Sequence, residues 1–283
     1  MLLLPPQVPV RADRPVFVCV KKAHPGAPFF MELSVLPLIR STWLSGFRGR
    51  SFQMVFALGL LLVGVAYLAS MFSPRQPQTV ALDVGLSGLR FALVLQVLFW
   101  VQELVGREIE RKTVTLVLSY PVRRSRYVLG RFLGIALLLL TATMMLAMLL
   151  WLVVLISDRD YPAARHVALG LPYWMSVFAL YCDVLVVLAF ALCLASLSTV
   201  TMLPLALGSV FAIVGRSIGA VMDFVLVRGA DGDAELADRF GPVLQVVGRL
   251  LPDLSRLDWR DWPLYNLSPD YSAMGWSLVM AAA

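Results

Sequence analysis

Three charged residues stand inside apolar runs long enough to cross a bilayer. Arg90, Asp183 and Arg216 lie at comparable depths in three different runs. An unpaired charge at such depth costs ~2.5–3.5 kcal/mol on insertion scales. Asp183 is therefore expected to pair with Arg90 or Arg216 and to face other protein rather than hydrocarbon. Such a group would serve either as a structural ion pair or as a polar patch lining a path through the membrane.

The other candidate chemistry is weaker. Gly215-Arg-Ser217-Ile-Gly219 matches the Gly-x-Ser-x-Gly spacing of a hydrolase nucleophile. That device needs a strand-to-helix turn and a histidine base. Here it sits in an apolar helical run, and neither His24 nor His166 is expected near it. The better reading is close helix packing on Gly215 and Gly219, four residues apart on one face. Thr143-Met144-Met145-Leu-Ala-Met148 could offer thioether sulfur to Cu(I), but methionines in an apolar helix usually pack. Two histidines far apart make no metal cluster. Cys182 and Cys193, inside one apolar run, read as small buried side chains, and Cys19 lies in the N-terminal segment. The sequence has no Gly-x-x-x-x-Gly-Lys-Ser/Thr phosphate loop, so it does not bind ATP by that device. No catalytic constellation is expected, and the chain is read as not an enzyme.

The elements that must position these residues follow from composition. Hydrophobic residues make up 59% of the 283 and charged residues 15%, against roughly 25% charged in an average soluble domain. The expected fold is an all-α polytopic membrane protein. Membrane spans are expected over 52–72, 82–104, 132–156, 173–197 and 202–225, with a partial sixth over 273–283. That last run is about half a bilayer long, which suggests a truncated sixth helix. Residues 1–30 hold six prolines and read as a disordered tail, or as a mis-assigned start with Met31 first. The domain proper is 31–283. Ser34–Arg50 mixes apolar and basic residues as an interfacial amphipathic helix does. Trp100, Trp259 and Trp262 are expected at membrane interfaces.

The net charge of +6 is unevenly placed. Between Gly106 and Arg131 lie Arg107, Arg111, Lys112, Arg123, Arg124, Arg126 and Arg131, opposed only by Glu108 and Glu110. Arg228–Asp270 carries eight acidic and five basic residues. Basic excess beside apolar runs marks the cytoplasmic side and lipid headgroups rather than nucleic acid. The N-terminus and the basic loop are thus expected inside and Arg228–Asp270 outside. Within the outer segment, 243–251 has helical spacing before Pro252. In the basic loop helical spacing runs to about Leu118, Pro121 breaks it, and a second helix starts near Ser125. No Gly or Pro occurs from Arg107 to Tyr120, as a stiff helix continuing the second span requires.

The ordered pieces Glu108-Ile-Glu110-Arg-Lys-Thr113, Leu118-Ser-Tyr-Pro121-Val-Arg-Arg124 and Leu129-Gly130-Arg-Phe-Leu-Gly134 resemble the ABC type-2 transporter permeases. Many members have Gly-Thr where this chain has Lys112-Thr113. The resemblance implies a six-helix transmembrane bundle with an N-terminal elbow helix. It also implies a coupling helix between the second and third spans that docks on a separate ATP-binding subunit. Arg107, Glu108, Glu110, Arg111, Thr113, Leu116, Pro121, Arg123 and Arg124 would make that contact. The implied function is a permease subunit that couples a partner's ATP hydrolysis to transport, usually export. A second permease copy, identical or related, would complete it in the lipid of a bacterial inner membrane. ATP and Mg would sit in the partner, with no cofactor in this chain. The alternatives are a secondary carrier, or a membrane anchor or assembly factor without an ATPase.

Overall fold

The computed structural model describes residues 35–47, 49–73, 75–106, 124–157, 167–198, 200, 202–230, 254–265 and 271–282. All of these belong to one unit, Ser34–Ala283. Among them there is no strand. The chain is an all-α polytopic membrane protein. Its helices are α1 (Val35–Phe47), α2 (Arg50–Phe72), α3 (Pro77–Trp100), α4 (Arg124–Ile156), α5 (Leu171–Leu197), α6 (Leu203–Ala230), α7 (Asp261–Tyr265) and α8 (Tyr271–Ala282). A π-helical turn, Val101–Gly106, extends α3, and a 3-10 turn, Leu254–Leu257, precedes α7.

Four stretches are long and apolar enough to cross a membrane: Arg50–Phe72, Pro77–Glu103, Val128–Ile156 and Leu171–Leu197. The apolar part of α6, Leu203–Gly219, is shorter, and α8 has 12 residues. Several helices start earlier than hydropathy alone suggests. α3 begins at Pro77 rather than Leu82 because proline in a first turn lacks only an N–H that would be unpaired anyway. Pro172 opens α5 in the same way. α4, with 33 residues, is about 50 Å long and outreaches a hydrocarbon core of about 30 Å.

The core runs between α3, α4 and α5, where Leu82, Leu89, Leu138, Leu150 and Leu188 are fully buried. Two tyrosines tie α5 to α4: the Tyr173 hydroxyl donates to the Ala147 carbonyl at 2.5 Å and that of Tyr181 to Ala136 at 3.2 Å. Phe190 of α5 stacks on Phe211 of α6 with centroids 3.9 Å apart. The hydroxyls of Ser70 and Ser157 meet at 3.2 Å and join the ends of α2 and α4. These ends, with the start of α3, define the far end of the bundle, away from the basic loop.

α1 stands along the first part of α4. Thr42 is fully buried and accepts a 2.7 Å hydrogen bond from Arg131 Nη1. A Cβ on Gly134 would lie 2.7 Å from Thr42 Cβ, and one on Gly46 would strike Leu138. The contacts 42 to 134 and 46 to 138 climb together, so the two helices run in the same direction. Small residues on both make that approach possible. The sequence suggests a helix resting on headgroups, yet one face of α1 is buried by protein while Arg40, Leu44 and Phe47 stay exposed.

Of the three indoles expected at an interface, two are covered by protein. Trp100 is 1% exposed and stacks on Phe52, and Trp259 is 6% exposed and stacks on Trp262. Both indoles are core, because neighbouring elements cover the positions that hydropathy assigns to the membrane edge. Only Trp262 is half-buried. Cys193 is exposed and Cys182 half-buried, so neither is the enclosed side chain expected; Cys19 and the 243–251 run lie outside the described residues.

Candidate functional site

The charges inside the bundle form a ladder of alternating sign. α6 supplies Arg216, α5 supplies Asp183 and α3 supplies Arg90. Asp183 is 1% exposed. Arg216 Nη2 donates to Asp183 Oδ2, and Arg90 Nε lies 3.4 Å from the same oxygen. The structure therefore puts both arginines, not one, on Asp183. Its Oδ1 makes no hydrogen bond among the described residues.

The ladder continues into a stretch that the sequence did not single out. Arg90 Nη1 donates to Asp258 Oδ2 at 2.7 Å. Asp258 in turn accepts from Arg260 Nε and Nη2, at 2.5–3.0 Å. Arg260 Nη1 reaches back to α3, to Asp83 Oδ1 at 3.2 Å and Ser87 Oγ at 3.0 Å. Asp83, Ser87 and Arg90 follow one another at helical spacing of four and three, so one face of α3 meets the 254–260 segment. The order is Arg216, Asp183, Arg90, Asp258, Arg260, Asp83, three charges of each sign.

Exposure varies along it. The Asp183 and Arg90 side chains are 1% and 7% exposed, Asp258 20%, Arg260 32% and Asp83 48%. At the other end Arg216 is 33% exposed. Burial alone would raise the Asp258 carboxyl. Hydrogen bonds from Arg260 and Arg90 and their positive charges outweigh it and hold that carboxyl well below the usual carboxylate range. The Asp258 hydrogen bond likewise pushes Arg260 above its usual value.

The 254–265 segment is seated by more than charge. Leu254, Leu257, Trp259 and Leu264 are buried. Ser176 of α5 donates to the Trp259 carbonyl at 2.8 Å, and the Ala168 amide to that of Pro263 at 3.1 Å. The segment thereby covers the far ends of α3, α5 and α6.

The remaining sequence candidates fare differently. Ser217 lies in mid-helix and donates to the Ile213 carbonyl at 2.9 Å, which is not the strand-to-helix turn a hydrolase nucleophile needs. Met144, Met145 and Met148 are 44–54% exposed on α4. No group of three His, Cys, Asp or Glu residues suited to a metal occurs among the described residues. Arg107, Glu108, Glu110, Arg111, Thr113, Leu116, Pro121 and Arg123 lie outside the described residues, and Arg124 opens α4. Where a uniform α-helix was expected to carry α3 toward them, the backbone first passes through the π-helical turn at Val101–Gly106.

The model of the ABC-2 family transporter proteins matches residues 79–226, just over half of the chain. The chain belongs to this family. Among curated proteins no match is found. The match takes in Arg90, the basic loop, Asp183 and Arg216, and ends before Asp258 and Arg260. An ABC-2 permease is the multi-pass transmembrane subunit of an ABC transporter, a class that works with an ATP-binding partner.

Proposed function

We propose that this ABC-2 permease forms the substrate path of an exporter and couples ATP hydrolysis by a separate subunit to movement across the membrane. The observation that carries the reading is the family match, which spans the basic loop and the three helices of the charge ladder together. ATP and Mg belong to the partner. The Glu103–Gly134 region is the docking element. Glu108, Glu110 and Arg111, with Arg107, face the ATP-binding subunit. Thr113 and Leu116 supply the apolar contact, Pro121 the turn, and Arg123 and Arg124 the rim or headgroup contacts. The basic-loop end is cytoplasmic, with the N-terminus on that side of a bacterial inner membrane and the far end outside. A second permease copy, identical or related, completes the path. Arg216, one-third exposed at membrane depth, is best accommodated on a wet or protein-covered face, and Arg90, Asp183 and Arg216 give that path its polar patch.

The test is co-purification of the full-length tagged chain with a candidate ATP-binding subunit. Wild type is compared with Glu108→Arg/Glu110→Arg. Capture of an ATPase by wild type and its loss in the double reversal support docking through this loop. Capture of no ATPase by either form overturns the reading. Charges inside the spans also suit an ion-coupled carrier, which would be sensitive to a protonophore and indifferent to ATP.

A further inference from the structure

We infer that Arg216 is an anion seat on the transport path, and that the molecule carried is an anionic amphiphile, a carboxylate or phosphate on an apolar chain. The inference rests on the transporter reading for the path and on the ladder for the seat. Each inner member of the ladder lies between two charges of opposite sign. The two ends have one partner each among the described residues. Asp83 closes one end in the second turn of α3, 48% exposed at the far end of the bundle, where water completes its shell. Arg216 closes the other end inside the apolar stretch Leu203–Gly219, where water is scarce and a cation needs a counter-charge. The alternation leaves room there for one more anion, which the ligand supplies.

The guanidinium is only partly used. Arg216 gives Asp183 one hydrogen bond, from Nη2, and shares that oxygen with Arg90. Its Nε has no hydrogen-bond partner among the described residues, and a third of the side chain is exposed. A guanidinium carries five N–H donors in a planar fork, which carboxylate and phosphate engage two at a time. Asp183 does not repel such a ligand, because two arginines converge on its single charge. A cationic ligand would meet Arg216 first and be pushed away. The surface beside the seat is apolar. Ile213, one turn before Arg216 on α6, is 66% exposed, and Val210, one turn before that, 53%. An anionic head on Arg216 with an apolar chain along Ile213 and Val210 matches both features, whereas free phosphate matches the seat alone.

The experiment uses the full chain in a neutral maltoside detergent, with dodecyl phosphate as probe and dodecyltrimethylammonium as the cation of equal chain length. Native mass spectrometry reads how much of each the protein retains. Wild type is expected to retain dodecyl phosphate at least about tenfold better than the cation. Arg216→Gln should lose that preference and Arg216→Lys should keep most of it. Ile213→Glu, at an exposed position that leaves the ladder intact, should expel the phosphate by like charge, which keeps the test decisive if Arg216→Gln does not fold. Equal retention of the two probes by wild type, or phosphate retention unchanged in these variants, overturns the seat. Retention that appears only after Asp223→Asn overturns it too, because a carboxylate of this chain then fills the place. A membrane lipid that co-purifies and resists displacement by dodecyl phosphate overturns the substrate assignment in favour of a resident lipid. The second arm adds the ATP-binding subunit, ATP and Mg. Stimulation of ATP hydrolysis by dodecyl phosphate in wild type but not in Ile213→Glu supports a transported anion; no stimulation overturns it. If no ATP-binding subunit binds, the transporter reading fails, and the retention comparison still decides the seat.

Discussion

Arg90 and Asp258 stand 168 positions apart in the chain and share a 2.7 Å hydrogen bond. Through that bond a short connecting segment becomes part of the electrostatics of α3 and α5. Asp183 is the hinge of the arrangement, because two arginines converge on one of its oxygens.

Asp183→Asn takes from Arg216 its carboxylate partner and leaves Arg90 with Asp258 alone. Breaking a buried pair from one side costs on the order of 3–5 kcal/mol. A marked fall in thermal stability and folded yield is expected, measured by fluorescence-detected gel filtration after heating. Asp183→Asn/Arg216→Gln should recover part of the loss. An unchanged melting temperature for the single variant would show that the cluster does not matter to the fold.

Gly134 is where α4 admits α1. A side chain there meets Thr42 at once, and Gly134→Val is expected to destabilise by about 1–3 kcal/mol through overpacking. Gly64→Ala is the control, since nothing lies within 4 Å of a Cβ at that site. Equal thermal stability of the two variants would place α1 away from α4.

Asp258 sets a pH window. Its folded carboxyl titrates below the ordinary carboxylate range. Its stabilising contribution is complete above the unfolded value, near pH 4, and is lost only as pH falls through the lower folded value. The share of thermal stability that Asp258 supplies should therefore stay constant from about pH 8 to about pH 5. A steep loss of melting temperature within that window would mean that a group other than Asp258 holds the segment.

Ser70→Cys/Ser157→Cys tests the pairing of α2 with α4. The two hydroxyls are 3.2 Å apart, and sulfurs in their place can close to a disulfide at about 2.05 Å with little movement. In a chain otherwise free of cysteine, oxidation should yield one intramolecular bridge, read as a cross-linked peptide by mass spectrometry. Free thiols after oxidation would separate these helix ends.

Much of the bundle could be read from hydropathy, because four of the long helices are apolar over a bilayer's thickness. The prominence of Arg90, Asp183 and Arg216 was also legible, since charge inside an apolar run stands out. Asp258 and Arg260 were not. They sit in a stretch of eight acidic and five basic residues, where no single charge is marked and no periodicity names a partner. The burial of Trp259 was hidden for a related reason: an indole near charged residues resembles an interface anchor until the covering helix is known. The π-helical turn after Trp100 has no compositional sign at all, because it arises from how the chain is wound and not from which residues are used.

The balance of the ladder has an electrical consequence. Asp258 and Arg260 contribute one negative and one positive charge. The bundle keeps Arg216 and Arg90 against Asp183 and Asp83. Neither half carries net charge, so separating them moves none through the membrane field. A potential of 100 mV does ~2.3 kcal/mol of work on each elementary charge carried across, but on this exchange it has almost no purchase. The pairing across the ladder is therefore expected to be as firm in a de-energised membrane as in a charged one.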